Sequence, residues 1–318
     1  MDLPKTMRAW AIEAYGGPDQ LKLMELPVPQ PRGDDLLIRM RGAEVGDWDA
    51  QVRDGEWPME RPFPLVLGLA GSGTVAAVGT EAKRFKPGDA VYAYSYPLYD
   101  NGAWAEYMLV QARHAARAPS ALDLVRAGGL PIVGLTAHET LNDILKVVDG
   151  DGVLVTPGAG GVGHLAVQLA SAVGARVAAI GSAGNHDFLQ RLGARWAIEY
   201  HDRQWVDKVR EVLPPGADKA LCGLSSTEAA NQAARTLRRG GRMLDLTGKV
   251  TRKPSDVEVI GDYVVEGDGA RLELLTAMVD ARRLELEVQQ VFPFDQAPEA
   301  LQTVLRGHVR GKIVIAIG

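Results

Sequence analysis

Between residues 7 and 120 apolar positions come in short runs, among them Leu36-Leu37-Ile38-Arg39-Met40, Gly73-Thr74-Val75-Ala76-Ala77-Val78 and Ala90-Val91-Tyr92-Ala93-Tyr94. Clusters of Pro, Gly and Asp close each run, so these segments read as strands, and their spacing predicts a small β-barrel. From Leu122 the texture changes. A helical pattern over 141–148 precedes the apolar run Val153-Leu154-Val155-Thr156, and strands then alternate with helices. The expected order is strand 176–180, helix 185–192 stopped by Gly193, strand 196–199, a helix near 203–213, strand 219–222, a helix near 227–238 and strand 242–246. Such alternation predicts a doubly wound parallel sheet covered on both faces, and so an α/β chain. After residue 268 a helix over 272–282, a strand over 288–292, another helix and a closing strand over 313–317 are expected to return to the first domain. The predicted organisation is a β-barrel domain over 1–123, a wound domain over 124–268 and a returning segment over 269–318.

The first candidate chemistry sits where the wound domain begins. Gly158-Ala159-Gly160-Gly161-Val162-Gly163 follows the apolar run and opens the helical pattern Leu165-Ala166-Val167-Gln168-Leu169-Ala170. That is the strand–turn–helix setting of a dinucleotide fingerprint: Gly158 permits the tight turn, Gly160 lets the backbone approach a pyrophosphate, and Gly163 lets helix and strand pack closely. A second strand, Arg176-Val177-Ala178-Ala179-Ile180, follows at the expected distance, as a Rossmann unit requires.

Composition narrows the partners. The 318 residues carry 35 Lys and Arg against 40 Asp and Glu, a net charge of -5 without long blocks of one sign, which argues against a nucleic-acid partner. One cysteine, Cys222, excludes an internal disulfide and a multi-cysteine zinc site and points to a reducing compartment, expected to be the cytoplasm. The most apolar region, 153–180, is broken by glycines, His164 and Arg176, and the N-terminus lacks a basic stretch followed by an apolar one, so neither a membrane span nor a signal peptide is expected.

Further motifs accompany the fingerprint: Phe63-Pro64-Leu65-Val66-Leu67-Gly68, Phe85-Lys86-Pro87-Gly88-Asp89-Ala90-Val91, Gly102-Ala103-Trp104-Ala105-Glu106-Tyr107, Gly134-Leu135-Thr136-Ala137 and Gly311-Lys312-Ile313-Val314. Together they resemble the medium-chain dehydrogenase/reductases, and within them the zinc-free quinone oxidoreductases. The resemblance implies a GroES-like catalytic domain built from both termini, a Rossmann domain between them, an active site in the cleft they form, and a homodimer. Zinc members hold a catalytic metal with a Cys in the segment corresponding to 42–49 and a His-Glu pair after the Leu-Gly corresponding to 67–68. Here the segments read Gly42-Ala43-Glu44-Val45-Gly46-Asp47-Trp48-Asp49 and Leu67-Gly68-Leu69-Ala70-Gly71, with neither Cys nor His. Zinc favours thiolate and imidazole ligands, so no zinc is expected. Glu44, Asp47 and Asp49 read instead as turn chemistry between strands.

A metal-free site suits a conjugated enone or a quinone, because charge arriving with hydride spreads onto oxygen, where one donor or a water stabilises it. The expected function is therefore NADPH-dependent reduction of a quinone or an α,β-unsaturated carbonyl. An enoyl reductase of a biosynthetic pathway is a close variant. Oxidation of an alcohol by a zinc-free dehydrogenase, and a nucleotide-binding sensor or adaptor with little catalysis, remain as alternatives. NADPH is expected in preference to NADH because Gly181-Ser182-Ala183-Gly184-Asn185 carries no carboxylate for a ribose 2′-hydroxyl. The resemblance adds Ser182, Tyr200, Thr136, Leu246 and Lys312 to the cofactor-binding set, aligns Asn185 with a lysine of related reductases, and leaves Arg191 and Arg203 as substitutes. It also reveals a departure: Gly46 stands where an Asn is usual and Gln51 where a Tyr is frequent, whereas Asp49 and Arg53 match. Gln51, Asp49 and Thr136 are the catalytic candidates, with Gln51 offering a hydrogen bond to substrate oxygen and Asp49 either supporting the loop or moving a proton. Gly46, Trp48, Tyr94 and Tyr96 are the pocket candidates, Tyr92 and Tyr99 belong to the same aromatic group, and His138 is a further candidate one helical step from Thr136. Cys222 reads as a small buried hydrophobe.

Overall fold

The computed structural model describes residues 3–96, 101–261 and 263–318. Two compact units divide them: Met1–Leu135 with Glu266–Gly318, and Thr136–Val265. In the first, strands β1 (Thr6–Ile12), β2 (Lys22–Pro27), β3 (Asp35–Val45), β4 (Leu65–Val66), β5 (Ala70–Val78), β6 (Ala90–Tyr94), β7 (Tyr107–Gln111) and β8 (Ala115–Arg117) accompany helices α1 (Asp47–Asp54) and α2 (Leu124–Ala127). Helix α3 (Pro131–Glu139) leads into the second unit, which holds β9 (Gly152–Thr156), α4 (Gly161–Ala172), β10 (Arg176–Gly181), α5 (His186–Arg191), β11 (Trp196–Glu199), α6 (Trp205–Val212), β12 (Ala217–Cys222), α7 (Thr227–Ala234), β13 (Leu237–Asp245) and β14 (Glu258–Ile260). The chain then returns through α8 (Gly269–Asp280), β15 (Val288–Pro293), α9 (Ala297–Leu305) and β16 (Lys312–Ala316).

The first unit is GroES-like, with a three-stranded sheet in the order β2-β1-β4 and a larger one in the order β15-β16-β3-β5-β6-β8, to which β7 adds by pairing with β3. Strand β16 lies antiparallel to β3, with Ile313 opposite Val45 and Ala316 opposite Gly42, which seats the last strand beside the third. Tyr92 on β6 reaches α8: its hydroxyl donates to the Leu272 carbonyl at 2.6 Å and accepts from the Thr276 hydroxyl at 2.9 Å. The first compact unit continues through Leu135. Ser72 of β5 hydrogen-bonds to the Leu124 carbonyl, and the Glu44 carboxylate accepts from the Ile132 amide at 3.3 Å, so α2 and the start of α3 pack with the strands.

The second unit is a Rossmann-type parallel sheet in the order β11-β10-β9-β12-β13-β14. Every residue of β9 is buried, as expected of a central strand covered on both faces. In place of the helical pattern expected over 141–148, a π turn over Thr140–Ile144 follows α3 and stops before Lys146 at φ +52. Of Glu44, Asp47 and Asp49, read as turn chemistry, Glu44 lies on β3 and the two aspartates in α1, because Asp49 caps the helix whose entry Gly46 makes.

Removing the Tyr92 hydroxyl strips a buried bond between β6 and α8. Tyr92→Phe is expected to lower stability by about 1–2 kcal/mol in urea denaturation.

Candidate active site

The glycine corner follows from packing at two positions and from neither strain nor packing at a third. A Cβ on Gly163 would lie 2.0 Å from the Pro157 carbonyl oxygen, and one on Gly158 would lie 2.9 Å from the Ala179 Cβ, so close approach of α4 to β9 and β10 excludes side chains there. Gly160 differs. It has ordinary extended backbone, and the nearest atom to an added Cβ is Pro157 Cγ at 3.5 Å. The fold tolerates a side chain at 160, and the backbone there leaves an open cradle. The first turn of α4 points amides that lack helical acceptors into that cradle, with Gly161 and Val162 half-buried behind it and Ala159 buried. His164, which the sequence showed only as an interruption of an apolar run, shapes this turn. Its ring Nδ1 lies 3.0 Å from the Gly160 carbonyl, which also accepts from its backbone amide at 3.0 Å. Beside it the buried Thr156 hydroxyl has no hydrogen-bond partner among the described residues, as expected where a ligand completes a site. The Gly223 amide donates to the Thr156 carbonyl at 2.7 Å and the Leu246 amide to the Cys222 carbonyl at 2.8 Å, which aligns the carboxyl ends of β9, β12 and β13. Burial pushes the Cys222 thiol up to about 12, leaving it a packing group.

At the end of β10, Ser182 accepts a hydrogen bond from the Asn185 amide at 3.1 Å. The loop lacks a carboxylate of its own, but the neighbouring strand supplies one. Gly181 pairs in register with Glu199, whose Oε2 accepts from the Ala183 amide and whose Oε1 accepts from the His201 amide at 3.1 Å, with His201 Nδ1 3.0 Å away. The His201 backbone amide, with that of Ala183, lowers the Glu199 pKa from its usual value. Tyr200 is exposed and its ring lies 3.9 Å from that of His201. Arg191 lies over the Phe188 ring and Arg203 is exposed.

The first unit holds a buried ionic cluster beside Gly46, Trp48 and Asp49, whereas Thr136 and His138 belong to the second unit. Lys312, 5% exposed, pairs with Glu44 Oε1 at 2.9 Å, donates to the Val45 carbonyl at 3.0 Å and lies 4.7 Å from the centre of the Trp48 ring. Trp104 donates its indole N–H to the Glu44 carbonyl at 3.0 Å. The cluster thus joins β3, β16 and α1, and through Ile132 the first turn of α3; Thr136 lies buried one turn further along that helix. Gly46 is explained here: a Cβ would lie 2.2 Å from Trp48 Cε2, so the indole fills the space of the side chain expected at that position. Asp49 is buried, with Oδ2 accepting from the Gly46 amide at 2.9 Å. Burial raises its pKa to about 8, against the opposing pull of that amide and of Lys312. Burial also raises the Glu44 pKa, with Lys312 opposing.

Gln51 is exposed on α1, and buried Arg53 is paired with Asp54 at 2.7 Å. The tyrosines divide: Tyr92 and Tyr94 are fully buried, and half-buried Tyr96 stacks with Tyr94 at 6.2 Å and packs against Trp57 at 5.0 Å. Tyr99 lies outside the described residues. His138 is half-buried, and its carbonyl accepts from Asn142. Among the described residues no group of three or more His, Cys, Asp or Glu side chains is arranged to hold a metal.

Residues 32–120 match the family model for the alcohol dehydrogenase GroES-like domain and residues 192–315 the one for zinc-binding dehydrogenase. An NADPH-dependent alkenal/one oxidoreductase, chloroplastic, of Arabidopsis thaliana is 32% identical over 324 residues, covering 98% of this chain and 80% of that protein. Among solved structures, an NAD-dependent alcohol dehydrogenase overlays with a TM-score of 0.90 at 29% identity, covering 98% of this chain and 100% of the other. The quinone oxidoreductase from Coxiella burnetii gives 0.87 at 28% identity, covering 99% and 100%. The chain belongs to the medium-chain dehydrogenase/reductase family.

Two experiments separate packing from binding and test the buried acid. Gly163→Ala is expected to lower stability by about 1–3 kcal/mol through overpacking, whereas Gly160→Val keeps the wild-type melting temperature and weakens NADPH binding at least about tenfold, read by thermal melts and nucleotide titration. Asp49 ionises near 4 in an unfolded chain and near 8 in the folded one. Wild-type stability should therefore fall relative to Asp49→Asn between those pH values, by at most about 1.4 kcal/mol per pH unit; a difference that stays constant with pH contradicts the assignment.

Proposed function

We propose that this protein is a zinc-independent, NADPH-dependent reductase that transfers hydride to a quinone or an α,β-unsaturated carbonyl. The observation that supports the reading is a glycine corner open at Gly160, together with a 42–49 segment in which Gly46, packed under Trp48, stands among carboxylates and apolar groups. Zinc chemistry of the family's kind needs Cys and His where 42–49 and 67–71 have none, and a conjugated acceptor dispenses with the Lewis acid that a simple alcohol requires. The relatives named for alkenal/one and quinone reduction support the same substrate class.

When bound, NADPH supplies the hydride. The chain's residues bind and orient. The α4 amides over 160–163 hold the diphosphate; Gly181, Ser182 and Tyr200 hold the adenosine ribose; Leu246, Thr136 and Lys312 complete the cofactor set. Gly46, Trp48, Tyr94 and Tyr96 line the substrate pocket, with the indole held by Lys312. Exposed Gln51 donates to the substrate oxygen as it gathers charge. Asp49 retains its proton below about pH 8 and fixes the entry of α1 through Gly46. The proposal includes a cytoplasmic setting, supported by a single buried thiol, and a homodimer, supported by the terminal position of β14 in its sheet. No helix among the described residues is long and apolar enough to cross a membrane.

A second reading, a nucleotide-binding sensor or adaptor, is favoured by one observation: Trp48 occupies the space of a polar side chain expected beside the reacting ring. Turnover decides between them. With NADPH and a panel of quinones, enals, enones and an enoyl thioester, the reductase reading expects substrate-dependent loss of NADPH absorbance. Tight NADPH binding with no turnover on the whole panel contradicts it and selects the sensor; turnover confined to the thioester selects the enoyl reductase.

A further inference from the structure

We infer that Glu199 is a specificity-determining residue at the adenosine end of the cofactor site, where its carboxylate tempers the preference for NADPH and keeps NADH usable. The inference rests on the reading that the glycine corner binds a nicotinamide dinucleotide. In a Rossmann unit the loop after the second strand meets the ribose 2′ position, where a carboxylate favours a hydroxyl and a basic group favours a phosphate. That loop here is 181–185, and it is neutral along its own length. The charge comes from the next strand. Parallel pairing sets Glu199 opposite Gly181, and the Ala183 amide donates to Glu199 Oε2. A backbone donor of the kind that would greet a phosphate oxygen is thereby spent on a protein carboxylate, and a 2′-phosphate seated against Ser182 and Ala183 must share the loop with a negative charge. The amides of Ala183 and His201 and the His201 ring hold that carboxylate in place through both oxygens. Ser182, whose oxygen already accepts from Asn185, is left to act as a hydroxyl donor, which serves a 2′-hydroxyl and a 2′-phosphate alike.

Glu199→Gln removes the charge and keeps an oxygen able to accept from the Ala183 amide. Dissociation constants are measured for NADPH and NADH, and for the fragments 2′,5′-ADP and 5′-AMP, on the wild-type and variant proteins. The expected result is NADPH and 2′,5′-ADP binding tighter by about three- to tenfold, the range for one like charge removed at a solvated site, with NADH and 5′-AMP within about twofold. A purely structural Glu199 would move both members of each pair equally, and an unchanged NADPH-to-NADH ratio overturns the inference. Glu199→Ala is the control for the hydrogen bond: it should shift the ratio in the same direction while weakening all four ligands through loss of the loop's anchor. Wild-type protein that binds neither dinucleotide overturns the cofactor site itself, whereas wild-type binding with a ratio deaf to both substitutions removes only the role of Glu199.

Discussion

The second unit depends on how closely the start of α4 can approach the end of β9. With the Gly163 Cα packed against the Pro157 carbonyl, no side chain fits between them, and this contact aims the first amides of α4 past the carboxyl end of the central strand. Because β9 is also where the strand order reverses, between β10 on one side and β12 on the other, the amides open onto the crevice that a wound sheet leaves at its switch point. His164 adds a second hold on the turn from within the helix. The shape of the corner is thus a consequence of packing rather than of any charged side chain.

The first unit solves a different problem, that of fixing a polar segment among buried charges. Glu44, Lys312 and Asp49 are all buried, and a buried ion pair contributes little net stability when weighed against well-packed apolar groups. Its effect is on geometry. Lys312 holds Glu44, the Val45 carbonyl and the Trp48 face at once, so it ties together the end of β3, the start of α1 and the last strand. The indole then stands where Gly46 leaves room. The unusual glycine and the tryptophan two residues later are one feature, a polar side chain exchanged for an aromatic wall.

What the sequence made legible was local. The strand, glycine turn and helix at 153–170 lie within twenty residues, and their periodicities change at the glycines, so the corner could be read residue by residue. The short strands of the first unit and the alternating elements of the second were legible for the same reason. What stayed hidden depends on register between distant segments. Glu199 reaches the Ser182 loop only because β11 pairs with β10 so that it faces Gly181. Glu44 meets Lys312 only because β16 pairs with β3. Helix α1 was misread because Gly, Asp and Trp have weak helix propensity, and its capping by Asp49 needs the burial that only the folded unit provides. Tyr92, which alternates with Tyr94 along its strand, is held by its hydrogen bonds with α8.

The proposed diphosphate site is the bare backbone corner over 158–163. A crystal structure of the protein with NADPH bound tests it most directly. The account requires diphosphate oxygens within hydrogen-bonding reach of the amides over 160–163, with the space beside Gly160 filled by the ligand. Nucleotide bound elsewhere with that space left open, or a metal ion coordinated by the 42–49 segment, would contradict it.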